Sequence, residues 1–336
     1  MAANERSSPR RVARVHCLME LARTTADQED LLPARFKTEV AGEMSGLSGR
    51  DKLEVVLSLG SSSSSQPADT RRRLETKRLE RILCLIYVEI ERHKALLDQL
   101  LIDVEVLIDG FSQRDRADSA FFSPSSSTLE TEDGLFNTLA LGGTFDHLHS
   151  GHKILLTMAA WLTTHRLIVG ITGQSLVSSI LPFLPNIYNE EKEPPPPPLF
   201  PPRLTHQCFR NWMETTDDEL LKNKKHASQL EPIEVRQEAV RGFVERVGPS
   251  DLRTETPRLQ DVYGPTATDP TIDGLLVSQE TLAGAKAIDA IRSQNGLKSL
   301  RTYVIDLISN QLTLAQLDQL NLKISSTQIR AWLDSH

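Results

Sequence analysis

Apolar and polar positions divide the second half of the chain into alternating short runs and longer periodic stretches. Continuous apolar runs predict buried strands at 135–143, 166–172, 271–278 and 300–308. Stretches with apolar residues at helical spacing lie between them, at 152–165, 231–248 and 279–296. Strands that alternate with helices favour an α/β fold with a parallel sheet covered by helices, and right-handed crossovers make that sheet Rossmann-like.

The first half of the chain has a weaker pattern. Residues 1–50 show no strong periodicity, so we expect them to be largely disordered. Segments 51–60 and 103–111 read as strands and 71–100 as a helix, which predicts a βαβ-like region over 51–111. The serine-rich, charged segment 112–134 is typical of a linker. It would lead into a second domain over 135–336.

One segment interrupts the second domain. Residues 173–216 contain nine prolines and no clean period, and a compact α/β domain does not need a loop of that length. The flanking residues, joined directly, would read VGITDDELLKNKK, a connection of ordinary length. We therefore interpret 173–216 as an insertion, either a loop specific to this lineage or a translated intron.

Composition narrows the class of protein. The net charge of −7 gives no basic field for nucleic acid. The longest apolar run, ILCLIYVEI, is too short to span a bilayer. The three cysteines form no CxxC pair, so they indicate neither a zinc site nor a disulfide framework, and they fit a reducing compartment.

We expect a cytoplasmic protein. The arginine-rich N-terminus, with Val12, Val15 and Leu18 at helical spacing, leaves a mitochondrial presequence as the minor alternative.

Candidate chemistry concentrates in LALGGTFDHLHSGHK, residues 139–153. This stretch holds three of the nine histidines and follows a predicted strand, where ligands of parallel sheets bind. Gly142 and Gly143 allow a ligand to approach the backbone closely. The next helix would present free N–H groups to a phosphate. His149 and His152 would face that phosphate and stabilise the charge that develops in transfer at phosphorus.

This stretch resembles the signature of the HxGH nucleotidyltransferases. Within that superfamily the chain is similar to the phosphopantetheine adenylyltransferases of the eukaryotic and archaeal type, and to the matching part of bifunctional CoA synthase. The supporting stretches run in family order: LALGGTFDHLHSGHKILLTMA, DDELLKNKKHASQLEPIEVRQEAV, DVYGPTATDPTIDGLLVSQETLAGAKAI and ISSTQIR. The HSGH and ISSTQIR motifs alone indicate only the superfamily, and DVYGPTATDP followed by VSQET narrows the resemblance to this family.

The resemblance implies adenylyl transfer from ATP to 4'-phosphopantetheine, assisted by Mg²⁺, with dephospho-CoA and pyrophosphate as products. The histidine pair would stabilise the transferring phosphorus, and a lysine, Lys222 or Lys224, would hold the acceptor phosphate. No residue is implied as a metal ligand. The positions that match nucleotide-binding residues of the family are Gly142, Gly143, Thr144, Phe145, Ser278, Glu280, Thr281, Ser325, Ser326, Thr327 and Arg330.

Other functions remain open at this point. A cytidylyltransferase or a nicotinamide-nucleotide adenylyltransferase would share the HSGH motif, and a non-catalytic scaffold could retain the fold. The stretches DVYGPT and VSQET argue against the first two, and the intact HSGH and ISST motifs argue against the third. The resemblance also leaves room for association with other enzymes of the coenzyme A pathway.

Overall fold

A computed structural model describes residues 10–20, 32–49, 51–60, 68–112, 136–173, 226–259, 261–278, 281–305 and 325–335. Three of the predicted site residues, Lys222, Lys224 and Glu280, lie outside these ranges. So do nearly all of the 173–216 insertion and of the 112–134 linker.

The N-terminal unit is a parallel sheet with two helices. Its strands β1 (Val12–Glu20), β2 (Lys52–Gly60) and β3 (Asp103–Ile108) lie in the order β1-β2-β3. The helices are α1 (Ala34–Met44) and α2 (Ala68–Leu96). All pairings are parallel, because each strand is joined to the next by a segment that contains a helix.

The expectation of disorder over 1–50 is wrong for β1 and α1. In β1 every second residue is buried, from Ala13 to Met19, whereas Val12 and Leu18 are exposed. The stretch therefore uses a period of two rather than the helical spacing considered above. In α1 the buried residues Phe36, Val40 and Met44 follow at intervals of four. Both patterns are short and separated by charged residues, so they escape detection in a longer window.

The second sheet confirms the predicted α/β class with a Rossmann-like parallel sheet. Its strands are β4 (Phe136–Gly143), β5 (Thr163–Thr172), β6 (Arg253–Glu255), β7 (Arg258–Leu259), β8 (Gly274–Ser278) and β9 (Arg301–Ile305). They lie in the order β6-β5-β4-β8-β9, with β7 also paired to β5. The chain order reverses beside β4, and ligands of such sheets bind at this switch point.

Helices connect and cover these strands. They are α3 (Ser150–Leu162), α4 (Ile233–Val247), α5 (Leu282–Gln294) and α6 (Ser326–Ser335). Residues of both sheets and of α2, α3 and α4 contribute to one continuous apolar cluster. Among the described helices, none has the length and apolar character of a membrane span.

Candidate active site

The loop that joins β4 to α3 has an unusual backbone. Phe145 and His147 both have positive φ, 50° and 45°, a region that residues other than glycine seldom occupy. Such conformations persist only where the surroundings specify them, and they cluster at functional sites. The contacts of the neighbouring Asp146 and His147 show what holds this loop.

Asp146 is the buried anchor of the loop. Its carboxylate pairs with the guanidinium of Arg330 and accepts a hydrogen bond of 3.0 Å from the backbone N–H of Glu231. The Ser326 hydroxyl donates to the Asp146 carbonyl at 2.8 Å. The start of α6 and the segment before α4 are thereby attached to the HSGH loop.

His147 strengthens the second of these attachments. Its backbone N–H donates to the Glu231 carboxylate at 2.7 Å. Its ring Nε2 lies 2.6 Å from the carbonyl oxygen of Gln229, so this nitrogen carries the proton. The first histidine of the sequence stretch is therefore a structural residue that binds the loop to 229–231.

His149 and His152 form a stacked pair at the start of α3. Their ring centroids are 3.8 Å apart with an interplanar angle of 27°, and the Phe145 ring lies 5.2 Å from His152. Burial, together with the charge of Lys153, lowers the pKa of His149 to about 4 against the opposing effect of Glu91. At neutral pH this imidazole is therefore uncharged, and it can offer a hydrogen bond without carrying a resident positive charge.

Gly151 separates the two histidines and leaves room for one of them. A Cβ at this position would lie 3.2 Å from both Cε1 and Nδ1 of the His149 ring. The Nδ1 atom itself is buried and has no hydrogen-bond partner among the described residues. The glycine of the HSGH motif thus permits the ring to fold back over the first turn of α3.

 One cavity opens at the carboxyl ends of the strands. This strand-end cavity has a volume of about 190 Å³, and it reaches across the ends of β4, β5 and β8 to the start of α5. Of the predicted nucleotide-binding residues, those that line it are Gly142, Gly143, Thr144 and Thr281. It has the position that the switch point of the sheet assigns to a ligand.

A second cavity lies at the start of α3, between the second sheet and the N-terminal unit. This helix-start cavity has a volume of about 220 Å³. The predicted residues His149 and Ser325 line it, together with Glu91, Lys94 and Asp103 of the N-terminal unit. The structure therefore divides the predicted residues between two cavities, and the first turn of α3 lines the helix-start cavity.

The remaining predicted residues contact protein groups. Phe145 is buried, and a Cβ on Gly143 would lie 3.0 Å from its ring. The backbone N–H of Ser278 donates to the Thr281 hydroxyl at 3.0 Å. Arg330, expected near the nucleotide, is instead buried against Asp146 and donates to the Thr327 hydroxyl at 3.1 Å. The ISST segment is thus fixed to the HSGH loop through its own arginine.

Arg236 is a site residue that the sequence reasoning missed. It is buried at the start of α4 and donates to the carbonyl oxygens of Thr144, at 2.6 Å, and Thr172, at 2.9 Å. These carbonyls follow β4 and end β5, so one guanidinium joins the two strand ends that border the strand-end cavity. The available signal was its place on the apolar stripe of the predicted helix, four residues before Val240.

Comparisons with known proteins identify relatives of the chain. The family model described as cytidylyltransferase-like matches residues 140–191, which include the HSGH loop. An uncharacterized protein of Schizosaccharomyces pombe is 36% identical over 191 residues, which are 57% of this chain and 46% of that protein. The phosphopantetheine adenylyltransferase of Saccharomyces cerevisiae is 34% identical over 200 residues, 60% of this chain and 50% of that one. The chain thus spans about half the length of these two relatives.

An archaeal relative is matched over nearly its whole length. The phosphopantetheine adenylyltransferase of Methanopyrus kandleri is 31% identical over 199 residues, which are 59% of this chain and 92% of that protein. Together with the parallel sheet and the HSGH turn at the start of α3, this match identifies the relatives of the chain. The chain belongs to the phosphopantetheine adenylyltransferase family.

Proposed function

We propose that the protein transfers the adenylyl group of ATP to 4'-phosphopantetheine, giving dephospho-CoA and pyrophosphate in coenzyme A biosynthesis. The observation that carries this proposal is the match over 92% of the Methanopyrus kandleri relative, whose name states this activity. The stacked pair of His149 and His152 supports it, because it places two imidazoles at a helix start beside the switch point. We assign the reaction to the cytoplasm, in keeping with Cys17 and Cys84, which are buried and form no disulfide.

The strand-end cavity is the proposed site of the nucleotide. Glycines at 142 and 143 line it beside the start of α5, so backbone can approach a ligand there. With the nucleoside in this cavity, the phosphates extend toward the first turn of α3. Free N–H groups of that turn attract anions.

The proposed reaction is a direct displacement. An oxygen of the acceptor phosphate forms a bond to the α-phosphorus of ATP, the bond from that phosphorus to the bridging oxygen breaks, and pyrophosphate leaves. His149 and His152 donate hydrogen bonds to the oxygens on which charge develops. The low pKa of His149, which burial lowers to about 4, makes it a neutral donor in the free protein.

The acceptor phosphate is assigned to Lys222 or Lys224. Both lie outside the described residues, but Lys224 is two residues before His226, where the description resumes. In the sequence both lysines precede Gln229 and Glu231, which contact His147 of the HSGH loop.

Mg²⁺ enters the proposal as part of the substrate MgATP. This ion usually keeps several waters and binds through substrate phosphates with few protein ligands. Within the described ranges no three histidine, cysteine or acidic side chains are grouped to hold a metal. We therefore assign no step of the reaction to a protein-bound ion.

Pyrophosphate release with defined substrates tests the proposal. The purified chain is incubated with MgATP and 4'-phosphopantetheine, and dephospho-CoA is identified by mass spectrometry. CTP replaces ATP in one control, and nicotinamide mononucleotide replaces the acceptor in another. Activity with either replacement alone would move the assignment to another branch of the HxGH enzymes, and inactivity with all of them would favour a scaffold.

A further inference from the structure

The first turn of α3 presents two adjacent faces with different partners. His149 and His152 lie three residues apart on one face. Ser150 and Lys153 lie three apart on the next face, rotated by about 100°. Since both faces belong to one rigid turn, contacts made by Ser150 and Lys153 fix the direction in which the histidines point.

The N-terminal unit makes these contacts. The Ser150 hydroxyl donates to the Glu91 carboxylate on α2 at 2.5 Å. The Lys153 ammonium donates to the Asp103 carboxylate at 2.5 Å and to the Val104 carbonyl at 2.8 Å, both on β3. Two elements outside the nucleotidyltransferase sheet thus hold the turn that carries the histidines.

These contacts are buried, so they hold the first turn of α3 in one position. Ser150, Lys153 and Glu91 are 3%, 6% and 7% exposed. The Glu91 carboxylate also pairs with the buried ammonium of Lys94 at 3.2 Å, and this pair holds the carboxylate in place independently of Ser150. Buried polar groups without partners are costly, and a shift of the turn would leave several of them unpaired.

The same groups surround His149 with charge. Glu91 and Asp146 favour its protonated form, whereas Lys153 and Lys94 disfavour it. Glu91, Lys94 and the partner of Lys153, Asp103, all belong to the N-terminal unit. Replacing that unit would therefore change both the direction and the electrostatic surroundings of the imidazole.

We propose that Glu91 is a positioning residue of the transfer site, acting through Ser150 to hold the first turn of α3 and with it His149 and His152. The proposal rests on the proposed function, and it gives the N-terminal unit a role in the reaction. Glu91 belongs to the N-terminal sheet-and-helix unit and lies 59 residues before Ser150 of the HSGH motif.

A double-mutant cycle in the full chain tests this role. Ser150→Ala removes the hydroxyl and leaves the Glu91–Lys94 pair intact, so it is the variant least able to disturb folding. We expect kcat to fall roughly 10- to 100-fold, because small misplacements of catalytic groups have effects of this size, while KM for ATP stays within about twofold.

The second side of the cycle changes the carboxylate. Glu91→Ala should lower kcat as Ser150→Ala does, and the double variant should fall no further, because both changes remove the same Ser150–Glu91 contact. Glu91→Gln, whose amide oxygen still accepts from Ser150, should recover most of the loss. Glu89→Ala is the matched control, because Glu89 lies on α2 and bonds Arg92 and His93.

The outcomes separate this proposal from the proposed function. If the unaltered chain transfers no adenylyl group, the proposed function fails, and positioning is read from the NMR ring signals of His149 and His152. Those signals should move in Ser150→Ala and stay in place in Glu89→Ala. Unmoved signals, wild-type kcat in a folded Ser150→Ala protein, or independent effects of the two substitutions would overturn the positioning role.

Discussion

At the residue scale, the HSGH turn needs two imidazoles for chemistry and one position without a side chain. The stacked imidazoles of His149 and His152 supply the donors, and the missing side chain of Gly151 supplies the room. The following two predictions separate these contributions.

Removal of the second histidine should impair chemistry alone. His152→Ala takes away one donor to the transferring phosphorus, and such losses typically lower the rate by roughly 10²–10³-fold. We expect kcat to fall by this factor while circular dichroism and the melting temperature stay close to wild type. The exposed His165 on β5 offers a control, since His165→Ala should leave kcat unchanged. Wild-type turnover in His152→Ala would remove the catalytic assignment.

A methyl group at the glycine should displace the first histidine. In Gly151→Ala the new Cβ would press on the His149 ring at 3.2 Å, so the ring must move. Alanine is favoured over glycine within helices by about 1 kcal/mol, so stability should not fall. The expected result is lower kcat with an equal or higher melting temperature. Gly242→Ala in α4 is the control, and a loss of kcat there would show that the effect is not specific to position 151.

The sequence predicted the residues of the HSGH loop but not those that hold it. His149, His152, Gly142 and Gly143 stand together within eleven residues, so their chemistry can be read locally. Arg236 meets Thr144 across 92 positions, and Ser150 meets Glu91 across 59. In the sequence Arg236 and Glu91 each look like an ordinary helical residue, and only the packing of distant elements shows what they contact.

At the element scale, a buried ion pair attaches α6 to the HSGH loop. Arg330 and Asp146 are 1% and 0% exposed at their side chains and join the ISST helix to the HSGH loop. The helix has ten residues, a length that is marginal in isolation. Its position therefore depends on contacts with the rest of the protein, among them this ion pair and the Ser326 hydroxyl.

Breaking that pair should release α6. Arg330→Ala leaves the Asp146 carboxylate buried without its partner, a change that typically costs about 3–5 kcal/mol. We expect the free energy of unfolding to fall by that amount in urea denaturation. Arg35→Ala in α1 is the control, because its ion pair with Glu39 is exposed and such pairs contribute about 0–1 kcal/mol. Equal stability of the two variants would show that the buried pair does not hold α6.

Strands differ in how far their own residues specify them. β4, β5, β8 and β9 contain continuous apolar runs, so the pattern places them to within a few residues. β6 and β7 have three and two residues and exist through pairing with β5, which no local pattern reveals. β1 was missed because Arg14 and His16 alternate with its buried positions, a period that a search for helices overlooks.

At the scale of the whole molecule, charged side chains join the N-terminal unit to α3 and α4. Glu105 on β3 pairs with Arg246 of α4 at 2.7 Å and with Lys52 of β2 at 2.5 Å. Asp103 on the same strand pairs with Lys153 of α3. These contacts predict how the docking responds to acid.

Acid should weaken the docking through Asp103. Burial raises the pKa of this carboxyl, but Lys153 and Arg10 outweigh burial and hold it below the ordinary value. A depressed pKa contributes stability that is present above the unfolded value of about 3.9 and is lost as the pH falls through the folded value. The melting temperature of the wild type should exceed that of Asp103→Asn at pH 5 to 7. This difference should narrow as the pH falls below about 4, and a difference that widens there would contradict the assignment.

The insertion 173–216 gives a prediction from the sequence alone. Joining Thr172 directly to Asp217 restores a connection of ordinary length, so the deletion variant should retain the transfer activity of the full chain. Arg236 still holds the Thr172 carbonyl in such a variant. Loss of activity in a folded deletion protein would show that the segment contributes to the site. Sequencing the mature transcript decides between an encoded loop and a translated intron.

The order of synthesis gives the charged junction a further consequence. The N-terminal unit leaves the ribosome before α3, and the parts of a long chain generally fold in that order. Lys153 reaches Asp103 only after 50 further residues have been added. We therefore expect Glu91 and Asp103 to be in place on the nascent chain before α3 docks against them. The N-terminal unit would then act as an internal chaperone for the first turn of α3.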